Sequence, residues 1–70
     1  MSDLSERHPA TQQIMRFFTY AHLPEPQRSI SSQAYVLAER MLAELPDDPE
    51  LTTGLRKLLE AKDCFVRASL

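Results

Sequence analysis

The longest regular pattern of apolar and polar positions runs from Leu51 to Leu70, LTTGLRKLLEAKDCFVRASL. At about 100° of rotation per residue, Leu51, Leu55, Leu58, Leu59, Phe65 and Val66 share one face of a helix. Lys62 projects from the middle of that face, where the pattern asks for a leucine. Arg56, Glu60, Asp63 and Arg67 fall on the opposite side, as a solvated or partner-facing surface would. Upstream, Ala34, Leu37, Ala38, Met41, Leu42 and Leu45 make a second helical stripe, with Glu39, Arg40 and Glu44 outside it. A shorter third stripe consists of Ile14, Met15, Phe17 and Phe18.

Punctuation between the stripes predicts the boundaries. His8 before Pro9 opens the first helix, because proline at the first helical position lacks only an N–H that would be unpaired anyway. The helix should end near Tyr20 or Ala21, since Pro24 and Pro26 forbid its continuation. Ser31 or Ser32 is the expected cap of the second helix, and Pro46 stops it. Asp48, Pro49 and Glu50 start the third: an Asp cap, a proline at the first position and an acidic residue at the positive end of the helix dipole. The short link predicts an antiparallel hairpin. Residues 1–8 carry no period and read as a frayed leader, which leaves 9–70 as a single helical domain.

Composition strengthens the all-α reading: 43% of the residues are hydrophobic, tryptophan is absent and there is a single glycine. A chain of 70 residues seldom buries enough apolar surface to be comfortably stable alone. Cys64 is the only cysteine, so no intrachain disulfide can help, and His8 and His22 offer no zinc-ligand spacing. Neither a metal nor another cofactor is expected, and self-association is the remaining aid. A formal charge of −2 argues against a duplex nucleic-acid binder but leaves room for a small anion held by a few cations. No apolar run approaches the roughly 20 residues of a membrane span. Asp3 and Glu6 do not suit a signal peptide, so a cytosolic protein is expected.

Several residues could carry chemistry. The stem of Lys62 could pack among leucines while its ammonium reaches water or a carboxylate, or it could meet an anion at an interface between subunits. The connector YAHLPEPQRSIS, stiffened by proline and bearing an aromatic ring and Arg28, suits a ligand; alternatively, Leu23 and Ile30 pin it to the core. Phe17 and Phe18 read as core, whereas Tyr20 at the helix end could stack on a base. Asp63 and Arg67 are placed for an i,i+4 pair, and Cys64 reads as an unactivated thiol. Gly54 inside a helix costs about 1 kcal/mol against alanine, which suggests close approach of another backbone or a ligand. No catalytic motif brings two carboxylates, a triad or a phosphate-cradling glycine loop together, so binding without catalysis is the expected class.

The segments FFTYAHLP (Phe17 to Pro24), ELPDDPE (Glu44 to Glu50) and LRKLLEAKDCFVRA (Leu55 to Ala68) together resemble a family of small phage proteins, the anti-CBASS cyclic-oligonucleotide sponges. The resemblance implies a compact all-helical homohexamer in the host bacterial cytoplasm. Such a protein sequesters cyclic dinucleotides, and in some members cyclic trinucleotides, without cleaving them, and so blocks CBASS immunity. By the same resemblance Tyr20 would stack on a base, while His22 and Pro24 shape its pocket. Arg28 is the cation nearest to where some relatives carry a lysine. Arg56, Lys57, Lys62 and Arg67 match the family pattern, with Lys57 and Arg67 the first candidates for phosphate and Lys62 a ligand or subunit contact. The rival reading is a small helical regulator that binds a protein, or DNA through residues 31–70. Acidic Asp47, Asp48 and Glu50 at the start of the would-be recognition helix weigh against the DNA version.

Overall fold

Leu51 and Leu55 on one helix must meet Ala38 and Leu42 on another for either stripe to leave water, and that pairing organises the computed structural model. The structure describes residues 6–70. Three helices occur in the order α1 (Pro9–Arg16), α2 (Gln27–Glu44) and α3 (Pro49–Ala68), and all regular structure among the described residues is helical. The long helices α2 and α3 run antiparallel: Leu45 lies beside Leu51 and Gly54 at one end, and Ile30 beside Ala68 at the other. The short α1 packs on α3.

The start of α3 follows its sequence signals. Asp48 is the cap, its Oδ1 accepting from the Glu50 N–H at 2.8 Å, with Pro49 first and Glu50 next. His8 caps α1 likewise, its Nδ1 accepting from the Ala10 N–H at 3.0 Å ahead of Pro9. The expected leader lies outside the described residues at 1–5, whereas Arg7 and His8 are tied to the α2–α3 link. Arg7 donates to Asp47 Oδ1 at 3.1 Å and to the Leu42 carbonyl, and the His8 N–H donates to Asp47 Oδ2 at 3.2 Å.

Two boundaries differ from expectation. The first helix ends at Arg16 rather than near Tyr20. Thr19 turns back, its Oγ1 donating to the Arg16 carbonyl at 3.1 Å, and Lys62 takes the Phe17 carbonyl, so the last free acceptors of α1 are satisfied without another turn. The second helix begins at Gln27, before the expected serine caps. Pro26 enters its first turn, with the Arg28 N–H donating to the Pro24 carbonyl at 2.8 Å and the Ile30 N–H to that of Pro26 at 3.2 Å. A proline at a helix start sacrifices no internal bond, so its stop signal did not apply there. Ser31 is instead fully buried, and its Oγ has no hydrogen-bond partner among the described residues.

The core comprises Ile14, Met15 and Phe18 from α1 and its following turn, Ala38 and Leu42 from α2, and Leu51 and Leu55 from α3. Ala34, Tyr35, Met41, Leu58 and Leu59 pack partly against it. The stripes are not wholly buried. Phe17 is 60% exposed, Phe65 62%, Leu37 45% and Leu45 44%. Leu37, Leu45 and Phe65 border a surface trough between α2 and α3, because α1 packs elsewhere on α3 and no other described residue roofs this side.

Candidate functional site

Lys62 is buried, and its position answers the question raised by its place on an apolar face. Its Nζ donates to the Phe17 carbonyl at 3.0 Å and lies 3.0 Å from Asp63 Oδ1. The stem thus occupies a leucine position while the ammonium pins the end of α1 to α3. Asp63 serves Lys62 and not Arg67; the expected Asp63–Arg67 pair is replaced by an Arg67 Nη2 bond to Cys64 Sγ at 3.3 Å. A thiol sulfur is a weak acceptor, so the guanidinium keeps most of its donor capacity.

Where the end of α1, the connector and the last turns of α3 meet, a recess of about 340 Å³ opens. Arg16, Phe17, Thr19, His22, Leu23, Lys62, Asp63, Val66 and Arg67 line it. The positions on α3 are successive turns of one face, and those from residues 16–23 arrive because α1 stops early and the chain folds back. Lys62 and Asp63 offset one another, which leaves the guanidiniums of Arg16 and Arg67 as charges without a carboxylate partner among the described residues. A planar guanidinium presents two parallel donors to a phosphate or carboxylate. The recess thus presents two guanidiniums of the kind that can meet an anion.

The seven candidate residues are distributed unevenly. His22, Lys62 and Arg67 are brought together in the recess. Tyr20 is not among its lining residues and packs on Tyr35, ring centroids 5.4 Å apart and tilted by 58°. Pro24 is exposed and its carbonyl accepts from Arg28 N–H, while the Arg28 side chain pairs with Glu25 at 3.0 Å on the surface. Lys57 is exposed, ten residues before Arg67, or about 15 Å along the helix axis, and does not line the recess.

Sequence reasoning missed Arg16, the position of Phe17 lining the recess, and Tyr35. Arg16 lies in the last turn of α1 beside two aromatic residues, a weak signal; only the early helix end turns it toward α3. Tyr35 is linked to Glu39 by a side-chain hydrogen bond. That bond, followed by partial burial and the neighbouring Glu39 charge, holds the Tyr35 phenol above its usual pKa of 10.0. Among the described residues, no cluster of three or more histidine, cysteine, aspartate or glutamate side chains could hold a metal ion, and no helix is long and apolar enough to cross a membrane.

Comparison with family models, with curated proteins and with solved structures gave no match.

Proposed function

We propose that this chain is a non-catalytic sponge that binds and sequesters cyclic dinucleotides as a homo-oligomer, with phosphates held in the recess between α1 and α3. The observation that carries the reading is the convergence of Arg16, His22, Lys62 and Arg67 on one recess containing a single carboxylate, itself taken by Lys62. Two guanidiniums free of carboxylates on one recess suit a phosphodiester group of a cyclic dinucleotide. The sequence resemblance to phage anti-CBASS sponges supplies the ligand class, a homohexamer as the working form, and cyclic trinucleotides as a second ligand. The apolar trough supports self-association, since a second copy that covered it would remove Leu37, Leu45 and Phe65 from water.

Isothermal titration with a panel of cyclic di- and trinucleotides tests the reading. At least one cyclic dinucleotide is expected to bind and to be recovered chemically intact after heating the complex. Absence of heat with every member rejects the sponge, and recovery of a cleaved product makes the protein a hydrolase instead. The trough also favours a second reading, a helical module that captures a different protein, and an elution volume of a monomer in size-exclusion chromatography would support it.

A further inference from the structure

We propose that Phe17, not Tyr20, is the ring on which a ligand base stacks, and that Arg16 with Arg67 clamps the adjoining phosphate. This rests on the reading of the recess as a nucleotide site. Phe17 is 60% exposed although the next residue, Phe18, is fully buried, so its exposure is not the fraying of a loose end. Its backbone is fixed on both sides. The N–H donates to the Ile14 carbonyl at 3.0 Å, and the carbonyl accepts from Lys62 at 3.0 Å. An apolar ring held on a rigid backbone at the rim of a cationic recess costs little further ordering when a flat ligand covers it. Arg16 precedes it directly and lines the same recess, and its guanidinium bonds no other described residue.

Tyr20 is occupied elsewhere. Its ring is in tilted contact with that of Tyr35, and it does not line the recess. The chemistry of Phe17 beside Arg16 and Arg67 fits a nucleotide phosphodiester: a base has a π-face for any aromatic ring, and a phosphate suits the guanidinium fork. Inorganic phosphate alone would use only half of this arrangement. The ligand should therefore bind through both groups, with modest preference among bases, because stacking does not read their edges.

The chain has no tryptophan, so Phe17→Trp creates a single fluorescent reporter at the site. Its emission is expected to be quenched on titration with a cyclic dinucleotide and with adenosine 5′-monophosphate, but not with inorganic phosphate. Phe17→Ala and Arg16→Ala should each weaken calorimetric binding roughly tenfold or more, the loss of about one stacking or charged contact. Their size-exclusion elution should match that of the unsubstituted chain. If the unsubstituted chain binds a cyclic dinucleotide and Phe17→Ala binds it equally well, the proposal is overturned, while the sponge stands with its stacking ring elsewhere. Binding of the monophosphate alone, lost in Phe17→Ala, upholds this site and rejects the sponge. No binding of either nucleotide overturns both.

Discussion

Individual side chains here do work that their residue type does not announce. Lys62 satisfies a helix-end carbonyl from 45 positions upstream, and Tyr35 joins Tyr20 to Glu39. The Tyr35 interaction has a pH consequence. Because the folded phenol titrates above its unfolded value of 10.0, the folded state holds the proton more tightly. Its contribution to stability is fully present below pH 10 and is lost as pH rises through the raised folded pKa. Tyr35→Phe should therefore flatten the alkaline limb of a melting-temperature profile taken from about pH 9 to about pH 11. Equal slopes for the two proteins would mean that Tyr35 is not the titrating group. Tyr35 and Glu39 stand four residues apart on one helix, whereas the contact of Tyr35 with Tyr20 was not legible in the sequence, since Tyr20 lies outside that helix.

Among the elements, α3 was the most legible, because a capping aspartate, a proline and a long apolar period all agree. The first two helices were misjudged at the ends facing the connector. Prolines were weighed as breakers there, yet Pro26 opens α2, and Thr19 with Lys62 closes α1 early. Burial along α3 was also only partly readable: periodicity puts Phe65 with the leucines, but it cannot say that α1 and α2 leave that part of the face uncovered. Gly54 belongs to the same uncovered side. A Cβ built there meets nothing within 4 Å, so within one protomer the close approach suggested by a helical glycine does not occur. Gly54→Ala should stabilise dissociated chains by about 1 kcal/mol in urea melts at low protein concentration. The same substitution should weaken self-association in sedimentation, because it adds bulk where a second copy would lie. Undiminished association would place Gly54 outside the interface.

At the scale of the whole molecule, the protomer is an elongated body of 34 × 19 × 18 Å whose surface carries both the cationic recess and the apolar trough. A standard interface covers about 800 Å² per partner. Relative to the 4877 Å² surface of this chain that is a large share, and the trough lined by Leu37, Leu45, Leu58 and Phe65 is the apolar surface available to supply it. If copies associate through the trough as proposed, Leu37→Glu combined with Leu45→Glu should leave only monomers in size-exclusion chromatography, since carboxylates buried in an apolar contact are desolvated without partners. An unchanged elution volume would move the interface to another face. The candidate site was legible only in fragments at this scale: His22, Lys62 and Arg67 were named from the sequence, but their meeting point depends on where α1 ends.

Lys62 borders both openings, the cationic recess and the apolar trough. It is a party wall between two rooms. On the proposed function, any coupling between filling of the recess and covering of the trough through Lys62 would have to act equally in both directions. Were that coupling positive, such a chain would hold its ligand more firmly when crowded with its own copies than when dilute, and its capacity would rise more steeply than its abundance.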